Sequence, residues 1–411
     1  MNQSSREARV PPQFDIIDDC LHVGGLSILR VAGRTGSTPF FAYDRQLVSE
    51  RVQQVREVMA PSMKLHYSIK ANPMPALVQH LSGLVDGFDV ASGGELSIAL
   101  DTPVPPACIN FTGPGKRVEE LRRALYADVI VHVESERELD TVAKLARELG
   151  LSPRVMLRVN PDFSLRASGM RMGGGPKPFG IDAESIPEVM KKMETMQIEC
   201  LGFHIYSGSQ NLAASALIEE KKQVFDLAME LARHGSQPLK YLNIGGGFGI
   251  PYFPGELPLD LIPMRDFFRE KCGSLAQKHP GVEVILELGR YLVGEAGVYV
   301  ARVIDRKVSR GKVFLITDGG MHHHLAASGN LGQVIRKNYP VAIANRMRGK
   351  VHENVTVTGP LCTPLDILAD NVPLPEAEVG DLVVVFQSGA YGRSASPQDF
   401  LSHPSAVEVL L

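Results

Sequence analysis

The chain has 411 residues, 44% of them hydrophobic and 22% charged, and its 43 Lys plus Arg against 46 Asp plus Glu leave a formal charge of -3. Gly and Pro together make about a sixth of it, well below the share of a disordered chain, and the near-neutral balance gives no basic field to hold nucleic acid. Its apolar runs, such as residues 382–386, fall far short of the roughly 20 residues a membrane helix needs, so no membrane span is expected.

In chain order, residues 1–13 (MNQSSREARVPPQ) are polar and lack the apolar core of a secretory signal, so a soluble leader is expected. Residues 21–43 (LHVGGLSILRVAGRTGSTPFFAY) read as strands that join the C-terminal sheet. Between residues 61 and 287, short β-branched or apolar runs alternate with segments such as VEELRRALY and SERELDTVAKLARELG, whose apolar residues recur at three and four as on an amphipathic helix. Eight runs can be counted, at residues 64–69, 87–90, 108–111, 128–133, 155–159, 199–205, 240–244 and 282–286. Eight such alternations predict an α/β fold, a parallel (β/α)8 TIM barrel. The Gly-rich, basic residues 160–180 are expected to form a mobile loop over its active face. After Arg290, runs such as VYVARVIDRKV, VFLIT, VTVTG, DLVVVFQS and AVEVLL lack intervening helices and predict an antiparallel β-domain. The expected division is a barrel over 40–288 and a β-domain built from 1–39 with 289–411. Cys20, Cys108, Cys200, Cys272 and Cys362 are scattered, which argues against a disulfide scaffold or structural zinc site and for a reducing cytoplasm.

Reactive groups of such a barrel sit where its strands end. Lys70 follows the first strand in HYSIKANP, where a partly desolvated amine can form a Schiff base. His204 and Ser207 follow the sixth in FHIYSGSQN; a lone histidine is more often a satisfied core residue than a ligand. Gly245, Gly246, Gly247 and Gly249 follow the seventh, where a phosphate cradle and a plain tight turn compete evenly, while Ile250 breaks the dinucleotide pattern. Glu287 and Arg290 end the eighth: the carboxylate can hold a cationic ring nitrogen and the guanidinium an anion, or the two can form a structural ion pair. In the second domain, GPLCTP places Cys362 on an exposed turn and FQSGAYG carries Tyr391. His322, His323 and His324 read as a strand with alternating faces and no acidic or cysteine partner at ligand spacing, so no metal is expected.

Taken together, this order of residues resembles the fold-type III pyridoxal-phosphate decarboxylases, the diaminopimelate and ornithine decarboxylase group, over nearly the whole chain. The resemblance implies an alanine racemase-like barrel and pyridoxal 5'-phosphate as cofactor. It implies Lys70 as the Schiff-base lysine, Asp89 and Glu95 (in FDVASGGE) beside the cofactor, and His204 stacked on its ring. Ser207, Gly245, Gly246, Gly247, Arg290 and Tyr391 would hold its phosphate, and Glu287 would pair with its ring nitrogen. Cys362 would donate the proton, contributed across a homodimer interface to a shared active site. Where that group carries a glutamate or aspartate after the cysteine to hold a distal amine, this chain has Thr363 and Pro364. Its counterpart of the RPALY-type segment is MHHHLAASGNLGQVIRKNY, with Arg336 and Tyr339 as loose matches. RMGGGPKPFGID, DGGMHHH and GPLCTP are similar to the exosortase A system-associated subgroup and to a decarboxylase acting on an aminoacyl group carried by a carrier protein. The expectation is decarboxylation of an L-amino acid with diaminopimelate-type chemistry, the substrate being free or attached to an acyl carrier protein. A same-fold racemase and a non-catalytic regulator are the alternatives.

Overall fold

Runs of Val, Ile, Leu and Phe that are apolar at every position suit strands buried on both faces, and such strands need parallel neighbours covered by helices. The computed structural model describes residues 11–163, 170, 171, 173–333 and 335–411. In it Met63–Ser68, Gly87–Val90, Ile109–Phe111, Ile130–Val133, Arg154–Asn160, Cys200–Ile205, Tyr241–Asn243 and Glu283–Leu288 pair in parallel, each with the next. The eighth pairs in turn with the first, Glu287 opposite His66, which closes the barrel. All eight expected strands are present, with ends shifted by a residue or two. Cys108, for example, leaves the third strand because Pro105 and Pro106 set a 3-10 turn over Pro106–Cys108.

The helices between them show their signals locally. Glu136–Leu149 starts at Ser135, whose side chain accepts from the Glu138 amide, and stops at Gly150 in the left-handed region. It buries Leu139, Val142, Ala143 and Ala146. Gly93–Leu100 is N-capped by Ser92, which accepts from the Glu95 amide, while Glu95 Oε2 accepts from the Ala91 amide just before the cap at 2.7 Å.

The chain divides into two units. Arg51–Ile250 with Pro258–Tyr291 makes the barrel, and the described residues up to Glu50, with Pro251–Leu257 and Leu292–Leu411, make the other. The division expected at residue 40 falls later because Phe40–Tyr43 pairs antiparallel with Gly297–Ser309 and parallel with Val407–Leu410, so pairing assigns it to the β-unit.

The sheet of that unit runs Val341–Ile343, Leu382–Val385, Gly297–Ser309, Lys312–Thr317, Val351–Thr358, Ile367–Pro375. It is largely antiparallel, but Lys312–Thr317 lies parallel to Val351–Thr358, as the long connection between them allows. Residues 21–43 do not all form strands. Cys20–Val23 sits in a small three-stranded sheet, and Ile28–Thr35 is a helix, N-capped by Ser27 and ended by Gly36 in the left-handed region. The cap and the Ile28/Val31 spacing outweigh the β-branched composition. Phe14, Leu21, Ile28, Val31, Phe40, Val298, Val300, Leu382 and Phe386 share one core in this unit. The expected leader over residues 1–10, and residues 164–169 and 172 of the expected mobile loop, lie outside the described residues. No helix among the described residues is long and apolar enough to cross a membrane.

Candidate active site at the carboxyl ends of the barrel strands

The first strand runs straight into a 3-10 turn, Ile69–Ala71, that buries Ile69 and Ala71 and leaves Lys70 exposed. Tyr67 braces the turn, its hydroxyl donating to the Asn72 carbonyl at 2.9 Å. A Cβ on Gly289 would stand 2.9 Å from Ala71 Cβ, so glycine there lets the eighth strand end approach the first. That approach brings Glu287 beside Ser68, which donates to Glu287 Oε1 at 3.1 Å, while Asn243 donates to Oε2 at 3.0 Å. His204 Nε2 stands 3.5 Å from the same Oε2, an electrostatic contact and not an aligned hydrogen bond.

Burial pushes the Glu287 pKa up, but His204, Lys70 and hydrogen bonds from Asp89 and Asn243 outweigh it and hold the carboxyl far below the usual range. Asp89, on the second strand, is buried and accepts from the Thr112 hydroxyl. Burial and the Glu287 charge raise its pKa well above normal, against Lys70. Two facing carboxyls thus share one proton, carried by Asp89, and the negative charge stays on Glu287. The Lys70 charge acts on Asp89, Glu95, His204 and Glu287 alike, so these five expected residues meet at one place. Glu95 accepts from the Ala91 amide, and its pKa is raised by burial.

His204 is 2% exposed, and its Nδ1 lies 3.0 Å from Nδ1 of His132, a buried residue of the fourth strand. Burial lowers the His204 pKa to about 4 and holds that of His132 well below the usual imidazole value. Sequence reasoning missed His132; a polar residue in the otherwise apolar run IVHV was the available signal.

Asn243 also shapes the glycine turn, its Oδ1 accepting from the Gly245 amide at 2.8 Å. Gly245 and Gly247 have φ of +61° and +98°, and a Cβ on Gly246 would stand 2.0 Å from the Glu287 carbonyl oxygen. A Cβ on Gly245 would lie 2.5 Å from the ring of Tyr206, a half-buried residue that sequence reasoning passed over.

Ser207 has a partner that the sequence did not suggest: it is fully buried and donates to Glu220 Oε1 at 2.6 Å. Glu220 in turn pairs with buried Lys221, whose Nζ donates to the Ile244 carbonyl just before the glycines. Arg290 opens the short helix Arg290–Val293 and is half-buried.

The remaining candidates belong to the β-unit. Cys362 is exposed on an irregular turn, beside Thr363 and Pro364. The nearby acid, Asp366, is 2% exposed and accepts from the Met321 and Leu361 amides, at 2.7 and 2.8 Å. Tyr391 is half-buried with φ +53°. His322, His323 and His324 lie in turns and not on a strand, because the Asp318-Gly319-Gly320 segment ends the strand Lys312–Thr317. All three are buried. Arg336 donates to the Ile367 carbonyl, and Tyr339 packs on Tyr252 at 4.8 Å between ring centroids. No group of three or more His, Cys, Asp or Glu among the described residues is arranged to hold a metal ion.

Comparison with known proteins places this geometry. The family model of the pyridoxal-dependent decarboxylase pyridoxal binding domain matches residues 45–294. The chain is 38% identical, over 91% of its length and 88% of the relative's, to an L-glutamyl-[BtrI acyl-carrier protein] decarboxylase from Niallia circulans. It is 32% identical to a diaminopimelate decarboxylase from Aquifex aeolicus, covering 97% of this chain and 92% of the relative. The crystal structure of diaminopimelate decarboxylase from M. jannaschii in complex with L-lysine superposes with a TM-score of 0.85 at 27% identity, over 97% of this chain and 93% of that one. By the family match and by identity over almost its whole length, this chain belongs to the pyridoxal-dependent decarboxylases.

Proposed function

We propose that the chain decarboxylates an L-amino acid whose side chain is tethered to a carrier protein, with pyridoxal phosphate bound where Lys70, Asp89 and Glu287 meet. The observation that carries the cofactor site is the buried Glu287 carboxylate at the strand end, with Ser68 and Asn243 donating to it and His204 beside it. The residues present fit the group. The buried Glu287 carboxylate, with Asp89 and the His204 ring beside it, suits a cationic ring nitrogen, and the turn at Gly245 and Gly246 presents backbone that a Cβ would crowd.

In this reading Lys70 holds the cofactor's aldehyde carbon, Gly245, Gly246, Gly247, Arg290 and Tyr391 hold its phosphate, and Glu287 holds its ring nitrogen protonated. Ser207 is left out of the phosphate set because its proton goes to Glu220. Both ring nitrogens of His204 face protein groups, so the ring's π-face is what it offers the cofactor. Pyridoxal phosphate when bound accepts the electron pair left by the departing carboxylate. Cys362 delivers a proton to the α-carbon, from a partner subunit in a homodimer with shared sites.

The substrate follows from what the Cys362 turn lacks. Thr363 and Pro364 carry no charge, and Asp366 spends its oxygens on backbone amides, so this turn offers no carboxylate to a distal ammonium. Cofactor chemistry needs a free α-amine and α-carboxylate, which leaves the side chain as the point of attachment to the carrier, in keeping with the 38% identical carrier-protein relative. The five cysteines, all unpaired, favour a cytoplasmic enzyme.

A screen for carbon dioxide release from free diaminopimelate, ornithine, lysine and glutamate and from a carrier-linked glutamyl group tests this. Release from the carrier-linked substrate alone is expected, abolished in Lys70→Ala; preferential release from a free diamine would overturn the tethered reading.

A further inference from the structure

Two neutral imidazoles that meet through Nδ1 atoms can share only one proton, and where it sits decides what each ring shows on its other side. His132 and His204 meet in this way, at 3.0 Å with ring planes 60° apart, and neither has a third group at that contact. We propose that His132 is a positioning residue: it donates Nδ1–H to His204 Nδ1 and so fixes His204 as the tautomer that turns an Nε2–H toward the Glu287 carboxylate.

The choice between the two tautomer pairs is electrostatic. With the shared proton on His204, the bare Nε2 lone pair would face Glu287 Oε2 across 3.5 Å, acceptor against carboxylate in a site closed to water. With the proton on His132, the same gap holds a donor and an acceptor. The second arrangement also leaves a lone pair and not a proton on His132 Nε2, which is buried with no partner.

Nor is a positively charged pair available. Lys116 and Arg158 place two cations near His132, each paired with its own carboxylate, Glu138 at 2.9 Å and Glu134 at 2.8 Å. Burial first, then the neighbouring His204 and those cations, lower the His132 pKa and outweigh the opposite pull of Glu287. Lys116 Nζ donates to the His132 carbonyl at 2.8 Å, which steadies the strand that carries the ring.

The inference rests on the reading that Glu287 pairs with the ring nitrogen of pyridoxal phosphate. In that setting His132 acts through His204: the Nε2–H joins the Ser68, Asn243 and Asp89 donors around Glu287 and favours its ionised form. Losing His132 leaves His204 free to adopt the other tautomer and lets Glu287 take up a proton that the ring nitrogen needs.

Two measurements decide it. In cofactor-free protein labelled with 15N-histidine, His204 is expected to carry its proton on Nε2 and His132 on Nδ1; a His204 protonated on Nδ1 would overturn the proposal whatever the cofactor does. In protein loaded with pyridoxal phosphate 15N-labelled in the ring, His132→Leu is expected to move the ring-nitrogen resonance toward its unprotonated position and weaken cofactor binding about tenfold. His132→Asn, whose amide N–H can stand in for Nδ1–H, should restore both. An unshifted resonance in folded His132→Leu, or no rescue by asparagine, would also sink it. Wild-type protein that binds no pyridoxal phosphate would end the proposed function while the tautomer measurement still judged His132.

Discussion

At Glu287 burial and charge pull in opposite directions, and the groups gathered round it decide the outcome. A carboxylate with Ser68, Asn243 and His204 turned toward it, and a protonated Asp89 alongside, keeps its charge without water. Glu287→Gln preserves the shape and removes the charge, so cofactor binding should weaken by about tenfold or more, while carbon dioxide release at saturating cofactor falls by about 10² or more. Spectral titration with pyridoxal phosphate beside a rate assay separates the two. Cys362→Ser should lower the rate by about 10² to 10⁴ with cofactor uptake unchanged, the pattern of a lost proton donor. Lys70 and Glu287 were legible in the sequence because a barrel puts the residue after each strand at one end. The partner of Ser207 was not legible because Glu220 lies thirteen residues further on and on a helix, and no local pattern reveals it. His132 was missed because its partner is 72 residues away across the barrel.

Elements impose a second kind of constraint, visible in two glycines that look alike in sequence. A Cβ on Gly246 would meet a backbone oxygen of the eighth strand at 2.0 Å, whereas one on Gly273, in the helix Ile262–Lys278, would meet nothing within 4 Å. Gly246→Ala should therefore destabilise by about 1–3 kcal/mol and displace Glu287, with loss of cofactor binding. Gly273→Ala should stabilise by about 0.5–1 kcal/mol through helix propensity and the unfolded state. Guanidinium unfolding curves for the pair should move in opposite directions. The same contrast explains which elements could be read. The eight barrel strands are short, largely buried runs rich in apolar residues and bounded by amphipathic helices, so the alternation marks them. The segment Ile28–Thr35 has strand-like composition, and its helix depends on one capping serine and one C-terminal glycine. The parallel pairing of Lys312–Thr317 with Val351–Thr358 depends on a connection whose path composition does not encode.

At the scale of the whole chain, both units bury neutral histidines, and that sets the response to acid. In the barrel, burial lowers His66 and His204 to about 4; in the β-unit it lowers His324 to about 3. His324 is locked neutral, since Nδ1 accepts from the Ala327 amide and the Nε2–H is left for the Ser388 hydroxyl. The unfolded chain protonates these rings near 6.5, so it binds more protons than the folded one between that value and about 4. Their contribution to stability is complete above pH 6.5 and is lost as pH falls through this window, on the order of 2 kcal/mol per histidine by pH 5. Asp89, Glu95 and Asp366, all with raised pKa values, act in the opposite sense, while Glu287 and Glu120, both lowered, act in the same sense nearer the carboxylate range. Because the histidines titrate first in the unfolded chain, they dominate from 6.5 downward. The guanidinium midpoint should fall steadily between pH 7.5 and 5, and His324→Gln, which keeps a donor for Ser388 but cannot be protonated, should flatten part of that slope. A midpoint that held level or rose across the interval would show that these rings are not buried as neutral groups.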